Sequence, residues 1–334
     1  MAQSDYFRGA IDEINMQLVR LNTRKASLLK DAEAQSTVAA QFRPGSYAEY
    51  LNMMAGCRKP IQAPRVVYQG EPGAYSEMAV RNFFGAAVQP RGLYQFEDTF
   101  AALSSSEADY AVLPIENTST GAIRQVYDLL MQFHYFFVGE TTVQVNHALL
   151  VLPGTKLEDI TTVYSHEQGL FQCERFLSMH PEWQTVAQAD TAGSAKMIAA
   201  IGDPHRAAIC STLAAEIYGL DILQEKLNAN SSNTTRFVVV SPKPELRQDR
   251  DKVCISLTTA HNSGALHSIL AVFAVHGINL VRLESRPIPE HNWEYMFFIE
   301  FTGDLANPEI DAAIHEISLL SAGLRVLGNF HSNL

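Results

Sequence analysis

The chain has 334 residues, 47% of them hydrophobic and 18% charged, and its formal net charge is −11. Single cores rarely grow past about 250–300 residues, so the length predicts two or three domains of an ordinary globular protein. The negative balance speaks against a nucleic-acid partner, which needs a Lys/Arg-rich face, but leaves room for a small anion in a local cationic pocket.

The first element is helical. Ile11, Ile14, Leu18, Leu21 and Leu28 recur at three-, four- and seven-residue steps, with Asp12, Arg20 and Arg24 off the stripe. No apolar signal-peptide core follows the polar start, and no later stretch approaches the roughly 20 apolar residues of a membrane span. A cytoplasmic location without a membrane partner is therefore expected. The helical segment, 1–60, closes at Arg58-Lys59-Pro60, and Pro64 marks a linker. From residue 65 short β-rich runs alternate with helical stretches: strands at 66–68, 110–113, 148–152, 161–164, 207–209 and 236–240, helices at 77–84, 168–177 and 212–218. Such alternation predicts an α/β domain over 65–242 with a largely parallel sheet. After Ser241-Pro242-Lys243-Pro244 and a charged run, residues 251–330 read strand, helix, strand, strand, helix, strand, the ferredoxin-like (βαββαβ) order.

Three strings carry candidate chemistry. Gly70-Glu71-Pro72-Gly73-Ala74-Tyr75-Ser76-Glu77 follows a strand and opens a helix, a place where inward-turned N–H groups favour an anion. A ligand-free turn explains it as well. Leu113-Pro114-Ile115-Glu116-Asn117-Thr118-Ser119-Thr120-Gly121 ends a strand in hydroxyls and amides, where open α/β sheets bind ligands, although such residues also cap helices. In Asn233-Thr234-Thr235-Arg236-Phe237 a hydroxyl sits beside a guanidinium, suited to an anionic substrate whose leaving group needs a proton. A strand-edge threonine and a surface arginine are the plain alternative. The four cysteines, Cys57, Cys173, Cys210 and Cys254, lie far apart without metal-type spacing and read as buried thiols.

Together these strings resemble the prephenate dehydratase family. Gly70-x-x-Gly73-Ala74-Tyr75-Ser76-Glu77, the Pro114-Ile115-Glu116-Asn117 string, Ser165-His166 with Gln168 and Cys173, Thr191-Ala192 and Asn233-x-Thr235-Arg236-Phe237 stand in the family's order. The resemblance implies a two-lobed, periplasmic-binding-protein-like catalytic domain, with the first lobe drawn from 65–113 and from 236 onward, and the second from about 142–227. It also implies the reaction, loss of CO2 and water from prephenate to give phenylpyruvate. Thr235 is then the group at the leaving hydroxyl. Arg236 pairs with a carboxylate or braces the site, and Glu116 orients neighbours. Gly73, Ala74, Tyr75, Ser76, Asn117, Thr118, Ser119, Thr191, Asn233 and Phe237 are substrate-binding candidates. His166 is a donor or a structural histidine. No metal or organic cofactor is called for.

Gly264-Ala265-Leu266-His267 and Glu284-Ser285-Arg286-Pro287 resemble the two phenylalanine-binding strings of the ACT domain that follows this enzyme in many organisms. L-phenylalanine is thus the expected effector, held across a subunit interface in a homodimer or homotetramer. Residues 7–29 resemble the first helix of the helical chorismate mutases, with Arg8 and either Arg24 or Lys25 near active-site positions of that family. The segment is shorter than a full mutase and has Ser36 and Thr37 where a later basic residue is expected, so a degenerate dimerisation element is the preferred reading. A bifunctional mutase–dehydratase, an enzyme acting on arogenate, and a non-catalytic binding regulator of the same fold are the alternatives.

Overall fold

The computed structural model describes residues 60–333, except 246, 248, 260 and 289–293. The expected helical segment before Pro60 lies outside these residues. The described residues form two units, Pro60–Pro242 together with Asn333, and Lys243–Ser332.

In the first unit the chain lays down β1 (Val66–Gln69), α1 (Tyr75–Phe84), β2 (Arg91–Leu93), α2 (Phe96–Ser104), β3 (Tyr110–Asn117), β4 (Gly121–Ala122), α3 (Arg124–Phe133) and β5 (Phe136–Gln144). It then crosses into a second lobe made of β6 (Ala148–Val151), β7 (Thr162–His166), α4 (Glu167–Gln172), α5 (Glu174–Leu177), β8 (Gln184–Gln188), α6 (Thr191–Ile201), β9 (Arg206–Cys210), α7 (Thr212–Tyr218) and β10 (Asp221–Gln224). It returns to the first sheet as β11 (Thr234–Ser241). The expected helix at 168–177 is broken at Cys173, and the first sheet keeps the chain to Gln144 rather than releasing it near 142.

The first sheet has the order β2-β1-β3-β11-β5, with β4 on the end of β3; the second has β10-β6-β9-β7-β8. Strands β1, β2 and β3 are parallel, whereas β11 is antiparallel to both β3 and β5. The first sheet is therefore mixed, not largely parallel. Both crossings lie at one end of it, so the strand that leaves for the second lobe and the strand that returns must run oppositely. Strands β3 and β11 are buried almost throughout, as suits central strands covered on both faces. Phe237 and Val239 of β11 pack with Val66, Tyr68 and Val112 beneath Ala79 and Val80 of α1. In the second lobe Leu150, Ala208 and Cys210 pack under Ala195 and Ile198 of α6, and Leu149, Val163 and Ile209 pack on the other face. This two-lobed α/β architecture is of the periplasmic-binding-protein type.

The second unit runs β12 (Lys252–Thr258), α8 (Ala265–Val275), β13 (Leu280–Pro287), β14 (Tyr295–Thr302), α9 (Pro308–Leu320) and β15 (Ala322–Phe330). Its antiparallel sheet has the order β13-β14-β12-β15, the ferredoxin-like topology. One sheet face carries Val253, Ile255, Ile299 and Phe301 against Ile269 and Phe273 of α8 and Ile314 and Ile317 of α9. Asn307 caps α9, accepting from the Glu309 N–H at 3.0 Å, and Pro308 fills the first helical position, where a missing N–H costs nothing. Among the described residues, no helix is long and apolar enough to cross a membrane.

Candidate active site

Residues directly opposite on neighbouring strands point to the same face, and the β3–β11 register sets Asn117 opposite Thr235. Asn117 turns its side chain back on its own loop: Oδ1 accepts the N–H groups of Ser119 (2.9 Å) and Thr120 (3.2 Å), an Asx turn. This leaves Nδ2 to donate to Thr235 Oγ1 and to Asn233 Oδ1, each at 2.8 Å. Ser119 Oγ donates to the same Asn233 oxygen at 3.2 Å, and Thr118 Oγ1 accepts the Thr234 N–H at 3.0 Å. Asn117, Asn233 and Thr235 are all buried. The hydroxyl-and-amide string and the threonine string, more than a hundred residues apart, thus form one polar cluster. Because Thr235 Oγ1 already accepts from Asn117, its own proton must point elsewhere. That arrangement makes a better donor of an ordinary hydroxyl, since the hydrogen bond stabilises negative charge left on the oxygen.

Successive strand residues face opposite ways. Thr235 and Phe237 face α1, so Arg236 faces the other side, where its Nε lies 3.4 Å from Oε2 of Glu140, both side chains being buried. Glu116, opposite Arg236 in register, shares that far face. Strand alternation turns both away from the Asn117–Thr235 cluster, and of the two roles expected of Arg236 the bracing one fits its contact with Glu140. Arg236 braces the sheet through Glu140. Phe237 belongs to the core beneath α1.

The glycine loop also differs from expectation. The N–H of Gly73 donates to Glu77 Oε2 (2.8 Å) and that of Ala74 to the Glu71 carbonyl (3.1 Å), so neither is offered to a ligand. Gly73 adopts φ +90°, and a Cβ there would lie 2.7 Å from Ala214 Cα of α7. Ser211, the N-cap of α7, donates to the Gly73 carbonyl, Tyr218 donates to Pro72, and Lys196 pairs with Glu71 at 2.9 Å. The loop is a junction between lobes. Ser76 is buried in it, while Tyr75 reaches towards the second lobe, its hydroxyl 3.0 Å from Nδ1 of His147. Burial raises the Tyr75 hydroxyl well above its ordinary pKa and lowers the His147 imidazole to about 4, so both are neutral near pH 7. Burial likewise pushes the Cys173 and Cys210 thiols up to about 12. Thr191 opens α6, and a Cβ added to Gly169 would meet Ser165, Thr191 and His147 together, so these three border one spot. His166 acts as N-cap of α4, accepting from the Gln168 N–H, which is its structural role.

Between the lobes lies a cavity of about 480 Å³, bordered by Ser119 and Asn233 of the first lobe, by Phe171, Gln172 and Arg175 of the second, and by Asn228 of the returning segment. Its size is in the range of small-molecule sites, and Arg175 is the cation of its lining. Sequence reasoning missed Gln172, Arg175, His147 and Asn228. Gln172 had a signal: it stands one helical turn after Gln168 and next to Cys173.

In the second unit, Gly264, Ala265, Leu266 and His267 border a pocket of about 490 Å³ with Tyr295 and Phe297. Gly264 takes φ +84°, which favours glycine, and starts α8. Register sets Ser285 opposite Phe297 and Pro287 opposite Tyr295, on the pocket's face of the sheet. Glu284 and Arg286 lie opposite Phe298 and Met296 and point to the other face, so the string Glu284-Ser285-Arg286-Pro287 divides in two. Among the described residues β13 pairs on one side only, with β14.

The prephenate dehydratase family matches residues 66–245, and the ACT domain matches residues 258–318. A bifunctional chorismate mutase/prephenate dehydratase of Enterobacter agglomerans is 37% identical over 81% of this chain and 71% of its own length. Arogenate dehydratase 3 of Arabidopsis thaliana is 40% identical over 80% of this chain and 66% of its own. Among solved structures, the quorum-quenching acylase GqqA superposes with a TM-score of 0.74 at 30% identity, covering 80% of this chain and 98% of that one. A prephenate dehydratase from Arthrobacter aurescens in complex with L-Phe superposes with a TM-score of 0.73 at 29% identity, covering 80% and 90%. With ordered motifs, two-lobed fold and family match in agreement, this chain belongs to the prephenate dehydratase family and carries an ACT domain.

Proposed function

We propose that residues 65–242 convert prephenate to phenylpyruvate in L-phenylalanine biosynthesis, in the cytoplasm, and that residues 251–330 sense L-phenylalanine. The observation that carries this is that the Thr235 hydroxyl accepts from Asn117 at 2.8 Å, which turns its own proton away from Asn117; we read that proton as the one given to the substrate. In the reaction the bond from the ring to its carboxylate breaks, its electrons pass into the ring, and the ring-hydroxyl bond opens at the far carbon. Thr235 gives the departing hydroxyl its proton, water and CO2 leave, and solvent returns a proton to Thr235. Proton donation of this kind contributes roughly 10²–10⁴-fold, and aromatisation supplies the driving force. Asn117, Ser119 and Asn233 orient the hydroxyl end of the ring, and Arg175 at the cavity offers a charge to a carboxylate.

Phenylalanine is proposed to occupy the pocket at Gly264–His267, its carboxylate at the first turn of α8. The one-sided pairing of β13 suits a homodimer in which a second copy completes that pocket with Ser285 and Pro287. Inhibition then requires that phenylalanine bind the open and closed clefts unequally. For residues 1–60 the preferred reading remains a degenerate dimerisation element. Purified protein given prephenate should produce the ultraviolet absorbance of phenylpyruvate. Arogenate is the second reading, favoured by the arogenate dehydratase relative, and the ratio of rates on the two substrates separates them. Chorismate tests for mutase activity. No turnover of either prephenate or arogenate would overturn the assignment in favour of a binding protein.

A further inference from the structure

The polarity of the hydrogen bonds around Thr235 extends further than Asn233. The backbone N–H groups of Ser119 and Thr120 cannot reverse, so they hold Asn117 Oδ1 towards themselves and turn its Nδ2 to Thr235 and Asn233. Asn233 must then present Oδ1 to Asn117 and Nδ2 to Gln172, whose Oε1 lies 3.0 Å away. An amide oxygen only accepts. The ring nitrogen on its other side, Nε2 of His147 at 3.0 Å, therefore carries a proton and donates. The second ring nitrogen, Nδ1, accepts from the Tyr75 hydroxyl at 3.0 Å. From Tyr75 to Thr235 one assignment of donors and acceptors satisfies every contact: His147 and Asn233 converge on Gln172 Oε1, and Asn117 donates to both Asn233 and Thr235.

His147 is 3% exposed and lies where the chain passes from the first lobe to the second. Its N–H donates to Asn228 Oδ1 (2.7 Å) and its carbonyl accepts from Leu227 N (3.0 Å), so it is tied to the returning segment as well. Gln172 belongs to the second lobe, Asn117 and Thr235 to the first. Its burial keeps the ring neutral, with one nitrogen free to accept.

We propose that His147 is a positioning residue for the Thr235 hydroxyl: it holds the Gln172 amide, which holds Asn233 against Asn117, so the hydrogen bond into Thr235 is braced by the second lobe. This rests on the reading of Thr235 as proton donor given above. Nitrogen-resolved magnetic resonance of the full chain should find His147 neutral at pH 6 with its proton on Nε2; a proton on Nδ1 instead, or a charged ring, overturns the proposal. For phenylpyruvate formation, His147→Leu should lower kcat about ten- to a hundredfold with KM changed less than about threefold, since small misplacements remote from the reacting atoms cost that much. His147→Gln, which keeps an N–H donor on a flexible stem, should recover most of the loss. The double variant His147→Leu/Gln172→Leu should be no slower than Gln172→Leu alone, as members of one connected network are not additive. Equal loss in both single His147 variants, full additivity, or no loss in His147→Leu overturns it. Wild type that forms no phenylpyruvate would refute the functional reading instead, and the tautomer result would still decide the hydrogen-bond order.

Discussion

Thr235 receives a hydrogen bond and keeps its own proton to give, and this is where turnover should be most sensitive. Thr235→Ala is expected to lower kcat by about a hundredfold or more with KM little changed, while Thr235→Ser stays within about tenfold of wild type. Near-normal turnover in Thr235→Ala would remove the residue from the chemistry. A second outcome concerns acid stability. The buried His147 takes up a proton near pH 4 rather than at the ordinary 6.5. The unfolded chain binds that proton first, so this contribution is complete above pH 6.5 and is lost as pH falls towards 4, by on the order of 3 kcal/mol. Denaturant titrations of wild type and His147→Gln across that window should diverge; parallel curves would mean the ring is not buried as described. Thr235 and Asn117 were readable as types of residue in informative strings. Which neighbours point with them was not: Arg236 adjoins Thr235 in sequence and faces away from it.

Strands and loops impose their own constraints. Arg236 and Glu140 are both buried on the far face of the first sheet, so Arg236→Leu removes one half of a buried ion pair and should cost roughly 3–5 kcal/mol of stability. Thermal unfolding that is unchanged in this variant would contradict the bracing role. Gly73→Ala should destabilise by roughly 2–4 kcal/mol, because a side chain at φ +90° is strained and would also press on Ala214; a shift in Tm below a degree would argue that α7 does not rest there. Strand and helix positions with strong apolar runs, such as β3, β9, β11 and the six elements after residue 251, were legible from their pattern. Helices α2 and α3 and strand β8 were not. β8 is largely exposed and lacks a clear alternation, α3 follows Ile123 with no side-chain cap, and α2 opens on a capping box built from Gln95 and Asp98 rather than from the usual Ser or Thr.

For the molecule as a whole, two separate pockets imply two separable functions. Ser285→Ala and His267→Ala are expected to raise the phenylalanine concentration needed for half inhibition several-fold, read from phenylpyruvate formation at fixed prephenate. Unchanged inhibition in both would move the effector elsewhere. Local patterning of apolar residues, turn residues and ordered strings was sufficient to establish the α/β and βαββαβ classes and the family, because helix and strand periods are short-range properties. The meeting of Asn117 with Thr235, the exclusion of Glu116 and Arg236, the use of the glycine loop as a lobe junction and the line from Tyr75 to Thr235 all depend on strand order, register and face. Those are choices among pairings of distant segments, and one step along a strand reverses the outcome.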